Sequence, residues 1–351
     1  MASARVPVAV LGASGYTGGE LVRLLAEHPK AEIVFLGVRE AAGRTLGEEH
    51  PFLADRVDLP LRDLDAEGAA AAAGFVFFAM PHGLSAELAP AALAAGARVI
   101  DLGGDFRLPA GAYPEWYGFA HPSADLLAEA VYGLPELFED RIRDARLVAN
   151  PGCYPTPVIL GVAPLLRAGL VENGPVLVDG KSGLSGAGKS LTDAMMFSTS
   201  HESVRPYKVP RHQHTPEIER ALGLAAGGAA PAAIFVPHLV PQVRGVLCTS
   251  YVKLASAATT TEELTECLAA AYAGRPFVRV LPPGGMVDTK RVRGSNTAEL
   301  QAVADARTGQ AIVIGAIDNL VKGAAGQAIQ NFNIMNGFGE GEGLSRVGVY
   351  P

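Results

Sequence analysis

One cysteine of this sequence lies where its sulfur could act as a nucleophile. Cys153 stands in the run NPGCYPT at 150–156, a Pro/Gly turn that precedes a helix predicted over 157–168. The amino end of a helix carries partial positive charge, which lowers the pKa of a nearby thiol and raises its thiolate fraction. Cys248 and Cys267 lie inside apolar patterns and are interpreted as core residues. Cys153 is therefore the candidate nucleophile, with a small core residue as its alternative.

Two histidines could serve that thiolate. His212 and His214 lie in the basic segment YKVPRHQHTPE at 207–217, just before a predicted helix. Zinc is a weak interpretation, because Cys153 would be the only soft third ligand and neither clustered acids nor a Cys-x-x-Cys motif accompanies the pair. A hydrogen-bonded surface pair is a further alternative. We expect no metal, and one imidazole acting as acid and base, with His214 slightly favoured over His212.

A glycine-rich loop near the amino terminus has the pattern of a dinucleotide site. The run GASGYTG at 12–18 follows a predicted strand and opens a predicted helix. Such glycines allow a tight turn and a close approach of backbone N–H groups to a pyrophosphate. Contacts to the cofactor are expected from Gly12, Ser14, Gly15, Tyr16, Thr17 and Gly18.

The residue after the second predicted strand indicates which dinucleotide binds. A domain that prefers NAD usually places an acidic residue there for the ribose hydroxyls, but this chain has Arg39, followed by Glu40. An arginine suits the 2′-phosphate of NADP. We therefore predict NADP(H), with a solvated surface arginine as the alternative for Arg39.

A second phosphate-loop pattern competes with the first. The run GLSGAGKS at 183–190 matches G-x-x-x-x-G-K-[ST], which alone would indicate an ATPase or kinase. However, the strand predicted at 175–179 is separated from it by three residues, and a nucleotide-binding unit already lies at the amino terminus. We expect this Gly/Ser turn, with Ser185 and Gly186, to lie against the nicotinamide end of a dinucleotide instead.

The elements that carry these residues predict two domains. Strands over 6–11, 33–38, 74–79 and 98–102 alternate with helices over 18–27 and 85–95, which is typical of a parallel, doubly wound Rossmann sheet. After about residue 150 the alternation at 233–236 and 246–254 indicates a mixed sheet. The prediction is an α/β protein with an NADP-binding domain at 1–150 and an α+β catalytic and oligomerisation domain at 151–319. Residues 320–351 are expected to form a C-terminal helix that completes the first domain, with the helical pattern over 326–336.

Composition excludes several classes of protein. The 351 residues carry 29 basic and 36 acidic side chains, a net charge of −7, so no general basic field would attract nucleic acid. No stretch approaches the roughly 18 apolar residues of a membrane helix, and no secretory signal precedes the first strand. Three widely spaced cysteines fit a reducing compartment. A cytoplasmic enzyme with a small-molecule substrate is expected.

These motifs together resemble those of the N-acetyl-gamma-glutamyl-phosphate reductases of arginine biosynthesis. A wider resemblance is to aspartate-semialdehyde and glyceraldehyde-phosphate dehydrogenases. The matching runs are 12–18, MPHG at 80–83, GDFRL at 104–108, YGLPE at 132–136, 151–156, SGAG at 185–188, 212–217 and AIDNLVKG at 316–323.

The resemblance implies a role for each matching residue. Cys153 would attack the acyl phosphate of N-acetyl-L-glutamyl 5-phosphate, and His214 or His212 would exchange protons. Arg107 would lie near the phosphate, although a structural ion pair with Asp105 is its alternative, and Tyr207 would contact the substrate. Asn319 would join Ser185 and Gly186 at the nicotinamide, and related second domains pair into homodimers or homotetramers.

Three alternatives remain open. A sister group reduces carrier-protein-bound aminoadipate phosphate in lysine biosynthesis, but as a group it departs from the Gly-Cys-Tyr-Pro-Thr run that this chain retains at 152–156. A P-loop ATPase or kinase would use Lys189. An NADP-binding sensor without catalysis would lack a rapidly alkylated cysteine of low pKa.

Overall fold

The computed structural model describes residues 5–40 and 42–351 and divides the chain into two compact units. The first unit combines the chain up to Pro151 with Ala324–Leu344, and the second combines Gly152–Gly323 with Ser345–Pro351. Each unit is built on its own seven-stranded sheet.

The sheet of the first unit is parallel throughout, in the order β3-β2-β1-β4-β5-β7-β6. Its strands are β1 Val6–Leu11, β2 Ala31–Val38, β3 Arg62–Asp63, β4 Phe75–Phe78, β5 Arg98–Asp101, β6 Val131–Tyr132 and β7 Leu147–Ala149. The strand order reverses at β1, and ligands of open α/β sheets bind beyond the carboxyl ends of strands at such a switch point. The predicted Rossmann sheet is confirmed.

Helices connect these strands because parallel neighbours need crossover connections. They are α1 Tyr16–Ala26, α2 Leu46–Glu49, α3 Ala66–Ala72, α4 Leu84–Ala94, α5 Tyr113–Trp116, α6 Leu126–Glu129 and α7 Pro135–Arg143. Apolar positions at helical spacing, such as Leu21, Leu24 and Leu25, bury one side of α1.

The sheet of the second unit is mixed, in the order β12-β13-β14-β11-β8-β10-β9. Its strands are β8 Val176–Ser182, β9 Arg205–Pro206, β10 Ala233–Leu239, β11 Val246–Lys253, β12 Val278–Val280, β13 Ala298–Asp305 and β14 Gln310–Ile317. β8 and β10 are parallel, and so are β12 and β13, whereas the pairs β9–β10, β8–β11, β11–β14 and β13–β14 are antiparallel. The predicted mixed sheet is therefore confirmed.

The helices of this unit include the one that follows the candidate nucleophile. They are α8 Pro155–Arg167, α9 Phe197–Ser200, α10 His214–Ala226, α11 Thr261–Ala271 and α12 Thr289–Val292. Every residue of α8 from Pro155 to Leu165 is buried, so this helix forms part of the core. Its position is thereby held by packing along nearly its whole length.

The predicted C-terminal helix over 320–351 is wrong in its bounds. Residues Val321–Ala325 form a π-helical turn, and the α-helix, α13, runs only from Gly326 to Met335. Gly337 has a φ of 68°, a conformation that ends helices and that suits glycine. The helix and the residues up to Leu344 belong to the first unit, but Ser345–Pro351 belongs to the second.

Candidate active site

The turn that carries Cys153 is closed by the first residues of α8. Thr156 donates to the Gly152 carbonyl oxygen from its backbone N (3.2 Å) and from its Oγ1 (2.9 Å). Pro155 occupies the first helical position, where no N–H donor is needed. Cys153 is half-buried, just before the amino end of a thirteen-residue helix, which is the location that the sequence predicted.

The imidazole of His214 packs directly on this turn. A methyl group built on Gly152 would lie 2.5 Å from His214 Nε2, so only the absence of a side chain lets the ring approach. His212 packs against His214. The Nδ1 of His212 accepts a hydrogen bond from the backbone N of His214 at 3.1 Å, and the two ring centroids are 4.7 Å apart. The structure therefore brings His214 next to the backbone that precedes Cys153.

Glu217 also meets this turn, and the sequence analysis assigned it no role. Its carboxylate is fully buried; Oε1 accepts a hydrogen bond from Gly152 N at 2.7 Å, and Oε2 lies 4.0 Å from His214 Nε2. Sequence reasoning placed both His214 and Glu217 just before a helix, whereas α10 begins at His214, and positions i and i+3 of a helix share one face.

Two tyrosines line the other side of the histidine pair. Tyr207 Oη donates to Tyr154 Oη at 3.3 Å, and Tyr154 Oη donates to the His238 carbonyl oxygen of β10 at 2.9 Å. Burial raises the pKa of both phenols well above their usual range, so both stay protonated at neutral pH. Tyr207 lies beside His212, with ring centroids 5.4 Å apart.

Ser185 and Asn319 come together in the second unit although they are far apart in sequence. Asn319 Nδ2 donates to Ser185 Oγ at 2.9 Å, and Asn319 Oδ1 accepts from Gly245 N at 2.8 Å. Both side chains are buried, whereas the adjacent Gly186 is exposed. The three residues that the resemblance grouped at the nicotinamide are therefore neighbours.

The loop at 183–190 does not have the architecture of an ATP-binding P-loop. The strand before it runs through Ser182, longer than predicted, because it pairs along its length with β10 and β11. However, the loop continues into a 3₁₀ turn at Leu184–Ala187, and the next α-helix begins only at Phe197. A P-loop needs a helix amino end directly at its Lys-Ser pair, so Lys189 lacks that setting.

In the first unit, the glycine loop has the geometry of a phosphate cradle. Gly12 has a φ of 92°, and a methyl on it would lie 2.3 Å from the Ala79 carbonyl oxygen, while one on Gly18 would lie 2.1 Å from the Gly12 carbonyl oxygen. The outer side is open at Gly15, where the nearest atom among the described residues, the Gly12 carbonyl oxygen, would lie 3.7 Å from an added methyl. Ser14 and Thr17 are half-buried and Tyr16 is exposed, at the start of α1. These residues fit a dinucleotide pyrophosphate.

Two neighbours hold this loop in place. The Gly37 carbonyl oxygen, near the end of β2, accepts from Gly12 N at 2.7 Å, and exposed Arg39 follows directly after that strand. His50 Nε2 is hydrogen-bonded to the Ala13 carbonyl oxygen at 2.9 Å. Sequence reasoning missed His50, because a lone histidine has no spacing that connects it with a distant loop.

Arg107 is buried in the first unit and contacts backbone. Its Nε donates to the Asn150 carbonyl oxygen at 2.8 Å and its Nη2 to the Leu102 carbonyl oxygen at 2.9 Å. Nearby, burial and, after it, the charge of Asp105 raise the pKa of Asp101 to about 7, although the charge of Arg107 acts to lower it. These two contacts are to backbone carbonyls, so both the ion pair with Asp105 and the phosphate contact stay predictions.

Within residues 5–40 and 42–351 there is no group of three or more His, Cys, Asp or Glu side chains that could hold a metal ion. In the same residues, none of the helices combines the length and the apolar character required to span a bilayer.

Comparison with known proteins identifies the family. A model described as the NAD binding domain of semialdehyde dehydrogenase matches residues 7–145, and one described as its dimerisation domain matches 153–319. An N-acetyl-gamma-glutamyl-phosphate reductase of Symbiobacterium thermophilum is 51% identical over 349 residues, which cover 99% of each chain. The chain belongs to the N-acetyl-gamma-glutamyl-phosphate reductase family. A member from Desulforudis audaxviator is 47% identical over 347 residues, 99% of this chain and 100% of that one.

Solved structures show that the reductase family shares its fold with a wider group. Aspartate semialdehyde dehydrogenase II from Vibrio cholerae aligns with a TM-score of 0.73 at 17% identity, covering 95% of this chain and 98% of that one. The Candida albicans aspartate semialdehyde dehydrogenase, solved with NADP, aligns with a TM-score of 0.72 at 15% identity, covering 95% and 99%. The predicted resemblance to the reductase family and to this two-domain fold is confirmed.

Proposed function

We propose that this chain reduces N-acetyl-L-glutamyl 5-phosphate to N-acetyl-L-glutamate 5-semialdehyde and phosphate with NADPH, a step of arginine biosynthesis. The observation that carries the proposal is the turn at Gly152 and Cys153, which combines a half-buried thiol before α8 with the imidazole of His214. Both relatives described above are named for this substrate, which favours it over carrier-bound aminoadipate phosphate.

The chemistry follows from a thiolate beside an imidazole. Cys153 Sγ bonds to the acyl carbon of the substrate, the bond from that carbon to the phosphate oxygen breaks, and phosphate leaves with the electron pair. The product is a thioester, which accepts hydride better than the oxygen ester that serine would form. The imidazolium of His214 then protonates the carbonyl oxygen during reduction and takes the proton back as the carbon–sulfur bond breaks.

Each predicted site residue is assigned to the substrate or to the cofactor. Bound NADPH supplies the hydride, and Gly12, Ser14, Gly15, Tyr16, Thr17 and Gly18 are assigned to its pyrophosphate. Following the resemblance, Ser185, Gly186 and Asn319 are assigned to the nicotinamide. Arg107 and Tyr207 are assigned to the substrate, the latter supported by its place beside His212. No metal is assigned a role.

Substitution of the nucleophile tests the reaction. In Cys153→Ser we expect phosphate-dependent reduction of NADP⁺ with N-acetyl-L-glutamate 5-semialdehyde to fall by at least ~10³-fold, as for other covalent nucleophiles. NADP⁺ binding should be unchanged. Cys267→Ser, a change at a half-buried cysteine on α11, is the matched control.

Two outcomes would contradict the proposal. Normal turnover by Cys153→Ser would remove this sulfur from the mechanism. If the wild-type protein binds NADP⁺ but contains no rapidly alkylated cysteine, it is a non-catalytic sensor and the proposal fails.

The choice of substrate has its own test. Comparing the rates with N-acetyl-L-glutamate 5-semialdehyde and with the one-carbon-longer semialdehyde distinguishes the arginine substrate from the lysine one.

The preference for NADP is assigned to Arg39. This exposed arginine follows β2, whose Gly37 carbonyl oxygen holds the glycine loop. Arg39→Ala should weaken NADPH binding about tenfold or more through loss of a charge-assisted contact to the 2′-phosphate, and leave NADH binding unchanged. Fluorescence titration measures both dissociation constants, with Arg56→Ala, another exposed arginine of the unit, as control. An unchanged ratio between the two cofactors would move the preference to another residue.

We also propose that the chain forms a homo-oligomer through one face of the second sheet. Leu177, Ile234 and Tyr251 are exposed by 45%, 55% and 37%, and they lie in register on the adjacent strands β8, β10 and β11. A continuous apolar row on a sheet face is typical of a subunit interface. A homodimer is the simplest assembly that covers it, and pairing of dimers would give a tetramer. The three free cysteines are compatible with a reducing compartment, and we propose the cytoplasm.

A further inference from the structure

Glu217 is a buried carboxylate that contacts two parts of the candidate site at once. It lies on the first turn of α10, three residues after His214, with none of its surface exposed. One oxygen accepts the backbone N–H of Gly152 at 2.7 Å, and the other lies 4.0 Å from His214 Nε2. A single side chain therefore connects the residue before the nucleophile with the acid/base.

The first turn of a helix is a favourable place for this carboxylate. The amino end of α10 carries partial positive charge, which stabilises an anion there. A carboxylate has enough lone-pair positions to accept an amide N–H with one oxygen and to face an imidazole with the other. At this separation, a negative charge favours the protonated form of the imidazole.

Other titratable groups also face His214. The His212 ring lies 4.7 Å away and the Tyr154 ring 6.0 Å away, measured between centroids, and Cys153 follows the Gly152 backbone on which His214 packs. Burial keeps the Tyr154 phenol protonated. Glu217 is the acidic neighbour. It lies on the same helix turn as His214, so the helix fixes the distance between the two residues.

We propose that Glu217 is the positioning residue of this site, fixing the Gly152–Cys153 backbone and orienting the His214 imidazole with the same carboxylate. This inference rests on the proposed function for its catalytic meaning, because it acts through Cys153 and His214 and does not touch the substrate. Removal of the Glu217 carboxylate breaks the hydrogen bond to Gly152 N. It also removes the negative charge that favours the protonated form of His214.

The test compares two carboxylates of one helix. Glu217→Gln retains an oxygen acceptor for Gly152 N but removes the charge. Glu219→Gln is the matched control, because Glu219 Oε1 also accepts a backbone N–H, from Ala233 at 2.8 Å, on the side of α10 that meets β10. Glu217→Asp keeps the charge on a shorter side chain.

For Glu217→Gln we expect kcat to fall about 10²-fold, within the range of an impaired acid/base, with KM little changed. The limb of the pH–rate profile that reports the His214 imidazole should move to lower pH by about 1 pH unit. An opposite charge nearby shifts a pKa by that amount or more. Glu219→Gln should leave rate and profile unchanged, and Glu217→Asp should restore the limb and only part of the rate. A Glu217→Gln enzyme with wild-type rate and profile would overturn the proposal, as would a loss confined to thermal stability.

Titration of labelled histidine by NMR separates this inference from the proposed function. The His214 signal, assigned with His214→Gln, should titrate at lower pH in Glu217→Gln than in the wild type or Glu219→Gln. This readout needs no substrate and no cofactor, so it decides the contact of Glu217 with His214 even if the wild type proves to have no reductase activity. An unmoved His214 titration would overturn the positioning role.

Discussion

At the scale of single residues, two glycines set the geometry around Cys153 because they have no side chain. A methyl group on Gly323 would lie 2.8 Å from Cys153 Cβ, and one on Gly152 would lie 2.5 Å from His214 Nε2. Contacts below 3.0 Å force a shift of the surrounding atoms, and neither the Cys153 backbone nor a half-buried ring moves freely. Packing therefore requires glycine at both of these contacts around Cys153.

Gly152→Ala tests this packing argument. The added methyl displaces the His214 ring from the turn, and we expect kcat/KM to fall about 10²-fold, since an error near 1 Å in a catalytic group has that effect. Gly174→Ala is the control, because a methyl there meets no atom within 4 Å in the part of the chain that the structure describes. Steady-state kinetics and thermal melting of both variants check the prediction, and equal rates for the two would contradict it.

At the scale of elements, α13 shows how a buried polar helix is held. All ten of its residues are buried, and its amide nitrogens find partners: Gln327 Nε2 and Asn331 Nδ2 each donate to the Gly133 carbonyl oxygen at 2.9 Å. At its far end Asn333 Oδ1 is hydrogen-bonded to His28 Nε2 at 2.9 Å. Buried amides need such partners, because an unpaired one costs about 1–3 kcal/mol.

The contact between His28 and α13 predicts a pH dependence of stability. Burial lowers the pKa of His28, so the folded protein binds fewer protons there than the unfolded chain. The contribution of His28 to the free energy of unfolding is fully present above its unfolded pKa of about 6.5. It decreases as the pH falls below that value. Thermal melting between pH 7.5 and 5 should therefore show a steeper loss for the wild type than for His28→Gln. Parallel curves would mean that His28 does not contribute.

At the scale of the whole molecule, the second unit leaves one sheet face open. Leu177 pairs in register with Ile234 on one side and Tyr251 on the other, which creates an apolar row across three strands. Helices cover the opposite face; the buried side chains of α8 and α10 belong to that layer. The family model for this unit is described as a dimerisation domain.

A charge on this face should dissociate the proposed oligomer. Leu177→Asp combined with Tyr251→Asp places two carboxylates in an interface that would otherwise be dry, and we expect sedimentation velocity to show monomers. Met286→Asp, at an exposed position outside that row, should leave the assembly intact. A double variant that sediments like the wild type would place the interface elsewhere.

Much of the fold and part of the site could be predicted from local patterns. The spacing of apolar residues indicated β1, α1 and the parallel sheet, since that spacing reports which side of an element is buried. The Pro-Gly-Cys turn and the glycine loop were visible because their residue types are demanded by backbone conformation within a few residues. The error over 320–351 arose because the helix was extended beyond the helical pattern at 326–336, across the π-helical turn on one side and past Gly337 on the other.

The sequence by itself determined which residues can do chemistry: a cysteine before a helix, a histidine pair, and a glycine loop with an arginine beyond it. Only the tertiary structure decided that His214, and not His212, packs on Gly152, and that Glu217 contacts both His214 and Gly152. It also decided that Arg107 donates to backbone carbonyls. The physical reason is that helix and strand periodicity depend on near neighbours, whereas these contacts join segments far apart along the chain. Such contacts exist only once each unit has packed its core.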